Sequence, residues 1–319
     1  MTHPSSAAEG SAGSTAVLPL PLFLQRGVDR LASNLLHPPG SPPVDFRLPA
    51  GEPALAPHDS VSWKVFKNPI ATFVGGVAAV ILELAEPRVR TGVWEHSSFR
   101  TRPMQRLQRT GLAAMVTVYG ARSAAKEMIA HVVRRHGQVT GLTPSGEAYS
   151  ANDVDLLTWV QATATFGFVQ AYHAYARPLP REHFDRFYFE GQAAARLYGA
   201  IDAPASEDGM RALFDSMRGR LEASPIVFEF LEIMRQAPIL PAPLRPMQRV
   251  LVRAAVEITA AWVRERLGLK RAMGVGAIEQ RIVRSAGRIA DRVMLGDGPA
   301  VQACLRLGLP ADYLYRKNS

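Results

Sequence analysis

The chain has 319 residues, 47% hydrophobic and 20% charged, which allows a sizeable core and excludes a disordered polyampholyte. Its net charge of +9 admits anionic partners, but no recognition motif accompanies the charge, so nucleic acid is not an expected partner. A single cysteine, Cys304, excludes an intrachain disulfide and points to a reducing, cytoplasmic setting.

Residues 1–15 are rich in Ser, Ala and Gly, a composition that resists ordering. The apolar stretch near 16–24 follows a start with no Lys or Arg and is interrupted by prolines, unlike a secretory signal. A short amphipathic helix is expected over Leu20–Leu36, then a proline-rich loop over 37–59. Residues 1–58 are therefore read as an extension, and 59–319 as one all-α domain. Asp59 or Ser60 is expected to cap a short helix holding Trp63 and Phe66.

Asn68-Pro69 then opens a helix to about Ala85, apolar all round and so buried. Its Gly75-Gly76 pair costs about 1 kcal/mol per glycine against alanine. Such glycines are kept where something bulky comes close, either a neighbouring helix or a flat ligand. The apolar run Ile70–Leu82 is too short to span a bilayer.

Residues 101–139 read as two helices joined near Gly120. On the first, Leu107, Gly111, Ala114 and Val118 form an apolar face flanked by Arg106, Thr110 and Thr117, with Arg109 pointing further out. A cation and a hydroxyl beside an apolar face suit a carboxylate or propionate, although an arginine snorkelling at a core boundary has the same pattern. On the second, Ala125, Met128, Ile129, Val132 and Val139 fall within about 100° of arc with His136 in their middle. An imidazole there needs a buried hydrogen bond, a proton-transfer role or a metal.

GLTPSGEAYS reads as a loop, followed by a long helix from about Asn152 to Arg177 capped by Ser150 or Asn152. Further helices are expected over 180–200, 206–222, 225–236, Val250–Leu267, 277–293 and 297–307. No sustained alternation or hairpin signal is visible, so the fold class is an all-α multi-helix bundle. Residues 241–319 carry 14 Lys/Arg against 6 Asp/Glu. That basic quarter suits a membrane surface or an acidic partner, which leaves open a non-catalytic helical module.

Four pieces, WEHSSFRTRPMQRLQRTG (94–111), HGQVTG (136–141), YSANDVDLLTWVQAT (149–163) and AYHAYARPLP (171–180), in this order and spacing resemble the MpaB-type oxygenases. That family includes the rubber-cleaving latex-clearing proteins, and the resemblance runs from about residue 60 to 290. It implies a helical protein enclosing an apolar pocket for haem b, which cleaves an alkenyl or isoprenoid-like substrate with dioxygen. His136 matches the family's HxxVxG histidine, implying the iron ligand. Arg106, Arg109 and Thr110 match its R-x-x-[KR]-T element, implying catalytic groups on the distal side, with Arg106 and Thr110 also touching the cofactor. The rubber-cleaving members have lysine where Arg109 stands, and a guanidinium stays protonated and cannot ligate iron.

Other candidates are weaker. His131 lies off the apolar arc, and His173 lies opposite the tight stripe of its helix. Gln161 stands where many relatives have histidine, and it is read as supporting the site by a hydrogen bond. Glu95 is the nearest motif carboxylate that could act as a base, and His96 has no derivable role. A di-iron bundle needs paired Glu-x-x-His motifs, whereas the chain offers Glu127-x-x-x-His131 once. HExxH, CxxC and Walker motifs are absent.

Overall fold

A computed structural model describes residues 16–40 and 43–316; the Ser/Ala/Gly-rich start read at 1–15 lies outside the described residues. The architecture is all-α, with one two-stranded hairpin as its only sheet among the described residues. Helix α1 (Leu22–Leu36) is followed by an irregular proline-rich segment and then α2 (Val61–Phe66). Ser60 rather than Asp59 caps α2, its Oγ accepting from the Trp63 amide at 3.1 Å.

The centre of the fold is α3 (Pro69–Glu83), crossed by α7 (Val154–Tyr175). Asn68 starts α3 as the sequence suggests, its Oδ1 accepting from the Ile70 and Ala71 amides at 3.1 Å. The two helices meet backbone to backbone. A Cβ on Gly75 would lie 2.7 Å from the Gly167 carbonyl oxygen, and one on Gly167 would collide with the Gly75 carbonyl. Gly75 thus answers to a neighbouring helix. Trp159 of α7 seals the crossing by donating from Nε1 to the Leu82 carbonyl at 3.2 Å.

After α3 the chain forms α4 (Pro87–His96), a helix that the periodicity did not announce. The Glu86 carboxylate caps it by accepting from the Val89 amide at 2.8 Å, and Pro87 fills its first turn. Helices α5 (Pro103–Tyr119) and α6 (Arg122–His136) then form the expected pair, broken at Gly120. The GLTPSGEAYS segment folds as a hairpin instead of a plain loop: β1 (Thr140–Leu142) pairs antiparallel with β2 (Ala148–Ser150). Strands of three residues are too short to carry a period-2 signal, which is why this one was missed. The cap expected of Ser150 or Asn152 falls instead at Asp153, which accepts from the Ser150 amide through Oδ2 at 2.9 Å.

Two expected helices are each two. The 180–200 stretch breaks at Gly191 into α8 (Arg181–Glu190) and α9 (Gln192–Tyr198). The 250–267 stretch becomes α12 (Arg245–Ile258) and α13 (Ala261–Arg266), with α10 (Glu207–Ser216) and α11 (Pro225–Gln236) before them. Helices α14 (Ala277–Ala290) and α15 (Pro299–Arg306) complete the chain.

Two buried charges tie the ends to the centre. Lys67 donates to Asp291 Oδ1 at 2.9 Å, and Tyr172 reaches the same oxygen at 3.2 Å. Arg306 spends its guanidinium on three carbonyls: Glu52 at 2.8 Å, Phe46 at 2.7 Å and Tyr119 at 2.7 Å. The proline-rich segment and the end of α5 are thereby clamped by the last α-helix. Among the described residues no single helix is long and apolar enough to cross a membrane.

Candidate functional site

The sequence's apolar arc on α6 is real, but protein covers only part of it. Ala125 and Ile129 are buried, whereas Met128, Val132 and His136 are half-buried; Val139, expected on the same face, lies beyond the end of the helix and is half-buried there. On α5, Val116, Val118 and Tyr119 are buried at one end, while Met104, Leu107 and Ala114 remain half-buried toward the other. Among the described residues, the two apolar faces are thus packed against the core but only partly buried over the turns that carry Arg106 and His136.

His136 is the last residue of α6. Its Nδ1 is buried and has no hydrogen-bond partner. Burial pushes the imidazole below its usual pKa, and the Arg106 charge pushes the same way, so the ring is neutral at physiological pH. A neutral imidazole with an unclaimed nitrogen is the form that ligates a metal. A merely structural histidine is expected to have its ring satisfied, because an unpaired buried polar group costs about 1–3 kcal/mol.

Arg106 lies one turn from Thr110 and donates to its hydroxyl in a very short contact, while Thr110 Oγ1 donates to the Arg106 carbonyl at 2.9 Å. The pair is thus locked along α5. Burial lowers the Arg106 pKa, the Glu83 carboxyl opposes that shift, and the neighbouring Arg109 adds to it. Arg109 is exposed, as its place off the apolar face predicts.

The structure adds Glu83, which sequence reasoning missed. It is the final residue of α3 and the only ionisable side chain in that helix. Burial pushes its carboxyl up to about 7, while the Arg106 charge and a hydrogen bond from Thr163 pull it back toward the ordinary 4.5. A carboxyl that titrates near neutrality can take up and release a proton at working pH. The available signal was a lone acid ending an otherwise apolar helix.

The remaining candidates separate cleanly. Glu95 and His96 are exposed at the end of α4, away from this desolvated group. Helix α5 starts after Arg102 without a side-chain cap. His131 is exposed. His173 Nδ1 accepts from the Leu179 amide at 2.9 Å and its ring packs on Phe184, so it fastens the end of α7. Gln161 is half-buried on α7, without a hydrogen bond that would assign it a role.

The donor chemistry discriminates between cofactors. Among the described residues no three His, Cys, Asp or Glu side chains converge as a metal cage. One orphaned imidazole, half-covered apolar helix faces and a desolvated guanidinium fit a haem, whose porphyrin supplies the other iron ligands.

No curated protein and no solved structure matches the chain. Residues 63–292 match the family described as ER-bound oxygenase mpaB/B'/Rubber oxygenase, catalytic domain. With that match covering most of its length, the chain belongs to the mpaB/rubber oxygenase family and carries an oxygenase catalytic domain.

Proposed function

We propose that the protein is a haem b-dependent oxygenase that oxidises or cleaves a hydrophobic alkenyl or isoprenoid-like substrate with dioxygen. The observation that carries this reading is the buried, unpartnered Nδ1 of a neutral His136, set at the end of an incompletely covered apolar face. His136 would hold the iron, and Arg106, whose charge His136 senses, would supply a cation for propionates or bound oxygen. Haem, when bound, supplies dioxygen activation at its iron.

The chain's own groups do the rest. Arg106, held by Thr110, presents a fixed positive charge in a desolvated place, where it acts more strongly than in water. Arg109 adds to the positive field from its exposed position on the same helix. The apolar side chains of α5 and α6, Leu107 and Met128 among them, offer a greasy substrate a surface and exclude water. Glu83 holds or moves a proton at its carboxyl oxygens.

The absorption spectrum of the protein as isolated tests the reading. A Soret band and a haemochrome of the b type are expected. His136→Ala should lose the band, while His131→Ala and His173→Ala keep it. A His136→Ala protein that purifies with a full Soret band overturns the assignment.

A further inference from the structure

One solvent-facing side of α14 has an unusual composition for a surface helix. Opposite its buried Val283 and Gly287, the residues Ile278, Ile282 and Ile289 fall within about 40° of arc. All three are exposed, Ile278 at 75%. Arg281 and Arg288, seven residues apart, line the flank of that row, and neither has an ion-pair partner among the described residues. The nearby acids are engaged elsewhere: Glu279 pairs with Arg253 at 2.6 Å, and Asp291 is buried against Lys67. Arg284 and Arg292 donate only to the backbone carbonyls of Ala174 and Ala16, which leaves their charge uncompensated.

The start of α1 is anchored just beyond the C-terminal end of α14. The Leu18 amide donates to the Arg292 carbonyl at 2.8 Å, and the Gln25 side chain donates to the Met294 carbonyl at 2.8 Å. That anchoring sets Leu22 and Phe23, 76% and 73% exposed, beside the C-terminal end of α14.

We propose that this face docks the protein on an anionic phospholipid surface. A narrow aliphatic row with arginines on its flank is the composition of a helix lying at a headgroup boundary. Guanidinium groups pair with phosphate in forked geometry while the isoleucines enter the acyl boundary. A second copy of the chain does not suit the face, because its arginines would oppose like charges. An acidic protein would match the arginines and leave the aliphatic row exposed. The docking does not depend on the haem assignment, so either can fail alone. It would bring the protein to the phase in which a hydrophobic substrate dissolves.

Flotation of the full chain with phosphatidylcholine vesicles, with and without phosphatidylglycerol, tests the proposal at rising salt. Binding is expected to the anionic vesicles and to fall with salt. Arg281→Gln with Arg288→Gln should weaken it roughly 30-fold, at the usual attraction per cation near an anionic surface. Ile278→Ser, Ile282→Ser and Ile289→Ser together should remove the part that survives high salt. These are exposed positions, so thermal unfolding should match the parent. Failure of the parent to float, equal binding to neutral vesicles, or binding unchanged in both variants overturns the proposal. So does retention of an acidic protein without vesicle binding.

Discussion

The α3–α7 crossing and the α5–α6 pair are both contacting helix pairs in one bundle, yet they are built on opposite terms. At the crossing, glycines let two backbones touch, and Trp159 closes the remaining gap with a hydrogen bond to Leu82. In the α5–α6 pair, aliphatic side chains stay half-covered, and a histidine nitrogen stays unpaired. Close packing makes the first pair a source of stability. The partial burial of the second is what the proposed cofactor site rests on. The desolvated Glu83 stands at the junction, since it ends the tightly packed α3 while interacting with Arg106 of α5.

This contrast is breakable by mutation. The largest expected effect is at the crossing. Gly167→Ala would drive a methyl group into the Gly75 carbonyl and should cost about 3 kcal/mol, read as a lowered urea midpoint. A midpoint within error of the parent would mean that the helices can part without penalty. His136→Ala is the complementary change: it should abolish haem retention yet alter the stability of the haem-free protein by less than about 1 kcal/mol, because no hydrogen bond is lost.

Next in size is Glu83→Gln, which should lower turnover about 100-fold if the carboxyl moves a proton. It should also change the dependence of stability on pH in a defined direction. The folded carboxyl titrates near 7 and the unfolded one near 4.5, so between those values the folded chain holds more protons. Stability from this group therefore falls as pH rises from about 4.5 to 7 and is level above that. Denaturant titrations across this window should show the slope in the parent and lose it in Glu83→Gln. The smallest effect is electrostatic: Arg106→Leu removes a charge that pulls Glu83 down and His136 down, so both groups should titrate higher. NMR titration of the His136 ring reads this directly, and an unmoved midpoint would show that the two side chains do not sense each other.

Much of the bundle was legible because its signals are local. Asn68-Pro69, Ser60 and the break at Gly120 each act within one helical turn, and each falls where the sequence put it. The helix breaks at Gly191 and Thr259 were not legible, since a continuous apolar pattern crosses both and only the tertiary course decides them. The same limit applied to the site. His136 and Arg106 announced themselves by standing in or beside apolar stripes, and the fold places them within electrostatic reach. Glu83 lies 23 positions before Arg106, on another helix, and its significance comes from burial that no spacing encodes.

The clamp at Arg306 bears on what counts as the working unit. The family correspondence stops at residue 292, but the guanidinium that donates to the Tyr119 carbonyl belongs to the helix after it. Tyr119 closes α5, the helix that aims Arg106, so the orientation of the proposed oxygen-facing side depends on a segment the shared catalytic region does not include. A fragment trimmed to residues 63–292 would lose both Arg306 and the proline-rich segment, and would leave the Tyr119 carbonyl without its donor. In this molecule the shared catalytic region and the contacts that hold the end of α5 have different borders.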